Sequence, residues 1–464
     1  MFISKYTCVL KIKEKRYLIN TYNSSLIELD EPAYCRINQV NKSKDDRLLS
    51  KEEKELLVSE GFLVDTDEEL QREYLVRMKY HSSKYKTAQT LKIDIGITDK
   101  CNFSCLYCFE NGNKNTGRFT VEKYTYAELL SEIRNYIICH INSNVKNVQI
   151  VWYGGEPSLE YEFICLANRK IIEDSYKHGF HYSNIIITNG YSIDTRYVNA
   201  LENQNLEYVQ ITLDGLQKTH DSRRNTIPRS NSFETIIENI DILLQSNIEV
   251  VIRVNVDASN QNEIIDLLDY LSFRFNKAIG QLLFISFGRV FGSETSLTHM
   301  EFEIVFHDLY LKAVALGFIE PQFEDSEVGA FCGAESMNDD LVVDFKGNIY
   351  KCWNDIFDQT LSVGNFYVNN SVTDCERELA TEMMYMEELS LDNINAGQCL
   401  ECEFIKYCGG LCPYNRKLLQ EGTEENIYEN HVCKEIVRRR IETHVEAYLN
   451  KMSDLHSFNC NENM

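Results

Sequence analysis

The chain of 464 residues contains no run of about 18 apolar residues, so nothing in it reads as a membrane-spanning helix. Its first residues, "MFISKYTCVLKIKEK", alternate like a strand and lack the apolar core of a secretion signal, which points to the cytoplasm. Basic residues are scarce beside acidic ones, 47 Lys and Arg against 71 Asp and Glu, for a formal net charge of −24. Such a field argues against a nucleic-acid partner and leaves room for a basic peptide; it also serves plain solubility. Internal repeats, low-complexity tracts and a disorder signature are missing as well, and 44% hydrophobic with 25% charged residues is ordinary for folded domains. The length exceeds one ordinary core and implies two or three domains.

Cysteine is what the chain has in excess. Sixteen would mean disulfides in a short secreted protein, whereas in a cytosolic chain of this size they point to metal or redox chemistry. Ten fall into spaced sets, and Cys8, Cys35, Cys139, Cys165, Cys375 and Cys460 are left over. Cys139 and Cys165 sit in helical apolar patterns and read as small core residues.

Residues 1–80 read as a small separate domain, with strands at "TCVLKIKEKRYLIN" and "SLIELD" and helical patterns around "EPAYCRINQV" and "SKEEKELLVSEGFLV". A charged stretch and linker, 81–90, follows. Over 91–300 six apolar runs, "LKIDIGIT", "VQIVWY", "NIIITN", "YVQITLD", "EVVIRVNV" and "QLLFISFG", alternate with helical patterns. That order predicts an α/β fold: parallel strands joined by right-handed crossovers, in a closed or partial barrel with its chemistry at the strands' C-terminal ends. A bridging region, 301–330, leads into 331–464, where loops hold seven cysteines before the long charged helix "KEIVRRRIETHVEAYLNKM".

The motifs fall where such a barrel keeps its site. "DKCNFSCLYCFE" puts Cys101, Cys105 and Cys108 after the first strand. Three thiolates on one short loop can hold three irons of a [4Fe–4S] cube and leave the fourth open, whereas structural zinc prefers a closed shell of four ligands. "YGGEP" ends the second strand, where Gly154 and Gly155 allow close backbone approach and Glu156 offers an acceptor for an ammonium. A Gly-Gly pair alone is usually just a turn. "TNG" brings Asn189 to the end of the third strand, and "ITLDGLQKTHDSRR" brings Thr212 and Arg224 to the fourth. Asn189 also suits a turn, and the arginines also suit a surface basic cluster. "VIRVNV" adds Arg253 and Asn255, whose inward or outward orientation the sequence leaves open.

With these residues the chain resembles the radical SAM superfamily, whose CxxxCxxC motif it carries with the aromatic Tyr107 before the last cysteine. The resemblance implies a partial (β/α)6 barrel in which Cys101, Cys105 and Cys108 bind a [4Fe–4S] cluster. S-adenosyl-L-methionine would be held by that cluster and by Tyr107, Gly154, Gly155, Glu156, Asn189, Thr212 and Arg224. Reductive cleavage of the cofactor then yields a 5′-deoxyadenosyl radical in this superfamily.

The remaining cysteines resemble a SPASM domain. Cys332 is followed by fourteen residues, Gly347, four residues and Cys352; then come Cys399, Cys402, Cys408 and Cys412, and finally Cys433. Out of context the C-x2-C pair would suggest zinc. The resemblance implies two auxiliary [4Fe–4S] clusters, one on Cys399, Cys402, Cys408 and Cys433 and one on Cys332, Cys352 and Cys412. No cysteine precedes Cys332 to complete the latter, so either Cys375 reaches in or one iron is open to a substrate thiolate.

Residues 1–80 resemble a RiPP recognition element, a winged-helix-like module that adds a leader peptide as a further strand; a structural cap on the barrel is the plainer reading. Together the resemblances imply a cytoplasmic, thioether-forming maturase of the sactipeptide or ranthipeptide type. Its partners would be a precursor peptide with a leader and a reductant such as flavodoxin or ferredoxin, with no nucleic acid and no membrane. Alternatives are a carbon–carbon or ether crosslink, a sulfatase-maturing activity, and, from another class, a zinc-binding interaction protein. Sulfatase-maturing relatives carry an aspartate directly after the second SPASM cysteine; here that position is Trp353, with Asp355 two further on.

Overall fold

The computed structural model describes residues 1–85, 89–110, 126–142, 145–226, 231–321, 340–367, 402–408, 412 and 432–461. The chain divides into two compact units: Met1–Tyr85 with Pro321–Cys332 and Glu387–Met464, and Lys86–Glu320 with Gly333–Met386.

The first unit opens with strands β1 (Phe2–Ile3), β2 (Thr7–Ile12), β3 (Lys15–Asn20) and β4 (Leu26–Leu29). Helices α1 (Glu31–Ser43) and α2 (Lys51–Ser59), strand β5 (Leu63–Val64) and helix α3 (Thr66–Tyr85) follow. The sheet β2-β3-β4 is antiparallel, and β1 pairs with β5. Local chemistry sets the helix starts: Asp30 accepts from Ala33 N at 2.7 Å ahead of Pro32, and Ser50 with Glu53 forms a capping box. The sheet is apolar on both faces because both are covered. Leu18 and Val9 belong to a core with Ile37, Val40 and Leu57 of the helices. Cys8, Leu10, Ile12, Tyr17 and Ile19 pack with Phe404 and with Val437, Ile441 and Val445 of the helix Val432–Asn461. The two ends of the chain therefore build one core.

The second unit comprises β6 (Thr90–Gly96), β7 (Phe103–Cys105), α4 (Tyr126–Asn142), β8 (Asn147–Tyr153), α5 (Tyr161–His178), β9 (His181–Thr188) and α6 (Thr195–Leu201). It continues through β10 (Leu206–Thr212), α7 (Gln217–Arg223), β11 (Arg224–Thr226), α8 (Ser232–Gln245), β12 (Val250–Val256), α9 (Ile264–Arg274), β13 (Leu283–Arg289) and α10 (His299–Ala315). Strands β14 (Asp340–Asp344), β15 (Asn348–Tyr350) and β16 (Gly364–Asn365) follow. One sheet runs β13-β12-β10-β9-β8-β6-β14-β15-β16. The six strands from β6 to β13 are parallel neighbours, as the six apolar runs predict.

Two features were not expected. β14 extends the sheet in parallel beside β6, in the segment read as cysteine-bearing loops, and β15 and β16 add antiparallel strands. Its five residues, "DLVVD", are too short a run to announce a strand. In addition, β7 and β11 form a separate antiparallel ribbon, pairing Cys105 with Arg224 and Phe103 with Thr226. No helix of the described residues is long and apolar enough to cross a membrane.

Candidate functional site

The cysteine loop leaves the C-terminal end of β6 and is held by the ribbon. Leu106 N donates to Arg223 O at 3.3 Å and Cys108 N to Cys105 O at 3.3 Å, while Cys101 Sγ accepts from Phe103 N at 3.3 Å. The Arg224 guanidinium lies over the buried Phe103 ring, 5.5 Å from its centroid. Burial pushes the Cys101 thiol up to about 12, and the charges of Glu156, Cys105 and Cys108 add to the shift. Cys105 is raised by burial too, with Arg224 opposing. Thiols so raised stay protonated at neutral pH unless a cation compensates. Among the described residues no three His, Cys, Asp or Glu side chains already converge as a metal site. The loop gathers the thiols without closing them on a point.

The end of β8 presses against this loop. Gly154 and Gly155 have φ of +80° and +53°, and a Cβ on Gly154 would stand 2.6 Å from Gly96 Cα. A Cβ on Gly155 would overlap Lys100 O and stand 2.7 Å from Thr98 O. Only glycine permits that approach. Glu156 N donates to Lys100 O at 2.8 Å, and Gly155 N to the buried Glu110 at 2.8 Å. The Glu156 carboxylate is itself buried and accepts from Ser158 N (2.9 Å), Thr188 Oγ1 (2.5 Å) and Asn189 N (2.7 Å). It thus ties the ends of β8 and β9 together. Asn189 reaches the cysteine loop through Asn102, at 2.7 Å.

On the other side Tyr107 turns inward. Its hydroxyl donates to Asp214, accepts from Arg224 Nη1 at 2.7 Å and lies 3.3 Å from Asn255 Nδ2. Burial pushes the Tyr107 hydroxyl well above its ordinary value, while Arg224 opposes. Arg223 donates to Asp257 at 2.7 Å and to Ser259, stacks 5.1 Å from the Tyr107 centroid, and has its Nε 3.8 Å from Asp214. His220 is buried and held well below its ordinary value by burial and by the two arginines. Thr212 is buried at the end of β10, in register with Arg253. Arg253 reaches Asn255 Oδ1 at 3.3 Å and crosses Gly288, where a Cβ would overlap the guanidinium.

The structure therefore gathers Cys101, Cys105, Cys108, Tyr107, Gly154, Gly155, Glu156, Asn189 and Arg224 around the C-terminal ends of β6, β8, β9 and β10. Sequence reasoning missed Glu110, Asp214, Arg223 and Asp257. Asp214 and Arg223 stood inside "LDGLQKTHDSRR", but nothing in their spacing marked them as buried partners. Cys352 follows β15, and the Trp353 ring stacks on Tyr153 with centroids 4.8 Å apart. In the first unit Cys402 and Cys408 pack beside Phe404, burial pushes Cys402 up to about 11, and Cys433 is raised by burial as well. Cys412 is exposed. Cys332, Cys375 and Cys399 lie outside the described residues.

Residues 95–271 match the family model of the Radical SAM superfamily. The chain is 23% identical to the radical SAM cyclopropyl synthase TigE of Paramaledivibacter caminithermalis, over 89% of each chain. It is 24% identical to the serine-type anaerobic sulfatase-maturating enzyme of Bacteroides thetaiotaomicron, over 72% of this chain and 84% of that one. The solved structure of native anSMEcpe with bound AdoMet and Cp18Cys peptide superposes with a TM-score of 0.55 at 17% identity, covering 80% of this chain and 99% of the other. That likeness shows the fold.

Proposed function

We propose that this chain, whose residues 95–271 match the Radical SAM superfamily model, modifies a ribosomally made precursor peptide, joining cysteine thiols to peptide carbons as thioethers. The observation that carries the reading is the cysteine loop, packed on a side-chain-free Gly154–Gly155 backbone at the C-terminal edge of the parallel sheet. When bound, an iron–sulfur cluster on Cys101, Cys105 and Cys108 with S-adenosylmethionine would supply a radical able to take hydrogen from an unactivated carbon.

The chain's own residues bind, orient and exclude water. The glycine backbone admits the cofactor closely, Thr212 and Asn189 offer polar contacts, and the Arg224 guanidinium offers a fork for a carboxylate. The group of buried Asp214 with half-buried Tyr107 and Asn255 fixes the loop from beneath. Residues 1–80 act as the leader-binding module: β4 has one strand partner, β3, among the described residues and can accept a peptide strand on its other edge. Cys399, Cys402, Cys408 and Cys433, and Cys332, Cys352 and Cys412, are the proposed ligands of two auxiliary clusters. Likeness to a cyclopropyl synthase over 89% of the chain favours carbon–carbon bond formation as the second reading.

The test is iron and sulfide content with EPR after anaerobic reconstitution, on wild type and on a Cys101/Cys105/Cys108→Ala variant. About twelve irons falling to about eight, with loss of 5′-deoxyadenosine formation, is the expected result for three [4Fe–4S] clusters. Four or fewer in well-reconstituted protein, or zinc in their place, sinks the auxiliary-cluster assignment. Mass spectrometry of the precursor then decides the bond: thioether formation removes two hydrogens and blocks the cysteine to alkylation, whereas carbon–carbon closure leaves the thiol reactive.

A further inference from the structure

The parallel sheet carries a buried carboxyl that none of the contacts above uses. Along β6, Leu91, Ile93 and Ile95 are buried, and Ile95 lies in register with Trp152, whose indole donates to Asn168 of α5 at 3.0 Å. That is the helix-covered face. Lys92, Asp94 and Gly96 therefore point to the opposite, inner face. Gly96 is the residue on which the Gly154 backbone rests, so Asp94 lies one pleat, about 7 Å, below the glycine cradle.

Asp94 is 1% exposed. Its Oδ2 accepts from the Trp353 indole and from Lys92 Nζ at 3.3 Å, while Oδ1 has no hydrogen-bond partner among the described residues. The Trp353 ring stacks on Tyr153, the residue just before the glycine pair, and the same cluster holds Val342, Tyr350 and Ile356. A carboxyl oxygen left unsatisfied among aromatic and apolar groups costs free energy, and such groups persist where a ligand completes them.

We propose that Asp94 is a substrate-facing proton acceptor, whose Oδ1, unpartnered among the described residues, takes the proton of a peptide cysteine thiol bound over the Tyr153–Trp353 pair. The S–H bond breaks, an O–H bond forms, and a thiolate and a carboxylic acid result; no electron moves. This rests on the reading of the substrate as a cysteine-bearing peptide. The groups facing Asp94 are Lys92, the Asp340 carboxylate 4.0 Å from Lys92 Nζ, and the hydroxyls of Tyr153 and Tyr208. Burial pushes the carboxyl up to about 7; Lys92 opposes the shift, Asp340 adds to it and Trp353 opposes it. An ordinary aspartate is too weak a base to share a thiol's proton near neutrality; a raised one is suited to it.

Trp152 and Trp353 are the two tryptophans of the chain, so fluorotryptophan labelling of the reconstituted holoenzyme gives two resonances, assigned with Trp152→Phe. With AdoMet present, the Trp353 resonance should titrate around neutral pH, lose that titration in Asp94→Asn, and titrate at higher pH in Lys92→Met. Above the midpoint, N-acetylcysteine methylamide should shift the wild-type resonance toward its low-pH position, and N-acetylserine methylamide should not. A resonance that does not titrate, or one that the thiol leaves at its high-pH position, overturns the proposal. If Asp94→Asn does not fold, Lys92→Met and the two ligands still decide. Wild-type protein that forms no 5′-deoxyadenosine from AdoMet overturns the parent reading instead, whatever Trp353 does.

Discussion

Replacing Gly155 by alanine separates two costs that the cradle combines. At φ +53° a side chain is strained whatever the space around it, and here the new Cβ also overlaps Lys100 O and stands 2.7 Å from Thr98 O. Those carbonyls cannot easily retreat, because Lys100 O already accepts from Glu156 N at 2.8 Å in the loop that carries Cys101. Gly179, at the end of α5, has a similar φ of +74° with nothing within 4 Å of the added atom. Gly179→Ala therefore isolates the backbone term, about 1 kcal/mol. Gly155→Ala adds overpacking against backbone, about 1–3 kcal/mol, for a total of about 2–4 kcal/mol. Both tryptophans lie in the second unit, so denaturant unfolding of the cluster-free protein followed by tryptophan fluorescence reads this unit. Gly155→Ala should also speed alkylation of Cys101, and Gly179→Ala should not. A Gly155→Ala variant no less stable than Gly179→Ala refutes the close-approach argument.

Arg223→Met should cost about 3–5 kcal/mol, because it leaves the buried Asp257 carboxylate uncompensated; adding Asp257→Asn should recover part of the loss in the same unfolding assay. His299 is held down at about 4 by burial and by Arg289, below its ordinary 6.5, so the unfolded chain binds the extra proton between those values. Its contribution is present above pH 6.5 and is lost as pH falls through about 4; in His299→Gln the fall in unfolding midpoint across that window should be shallower. Ile441→Ala removes a fully buried side chain from the core it shares with Leu10 and Ile19, at about 2–5 kcal/mol. Hydrogen exchange should then show lost protection in β2 and β3, more than 400 residues away in sequence; unchanged protection there refutes the shared core.

Much of the second unit was legible because parallel strands buried on both faces read as short apolar runs, and six such runs became β6, β8, β9, β10, β12 and β13. The positions of Cys101 and Gly154 after the first two strands followed from that alternation. Side-chain partnerships were not legible, since alternation fixes a face and not a neighbour. Glu156 shows this: the sequence offered a carboxylate at the right strand end, while the structure engages its oxygens with Ser158, Thr188 and Asn189. The pairing of the chain's ends was hidden too. β2 alternates polar and apolar as if one face met solvent, yet Val9 and Leu10 both face packed cores, one of them supplied by Val432–Asn461.

The buried charges beneath the cysteine loop are better understood as a positioning device than as a source of stability. Burying Asp214, Asp257, Arg223 and Arg224 costs desolvation that their pairing roughly offsets, and apolar residues of like volume would fold as well. What apolar residues lack is direction. Tyr107 is fixed in position by Asp214, Arg224 and Asn255 at once, and Arg223 spans from the loop backbone to the end of β12. A loop that carries three thiols and has only the short strand β7 as regular structure gains from such directional contacts, because a slip of the loop would break several charged hydrogen bonds together. Arg223→Met paired with Asp257→Asn tests this split: stability partly returns, whereas slow alkylation of Cys105 in the cluster-free protein should not. If both return together, the network serves stability alone.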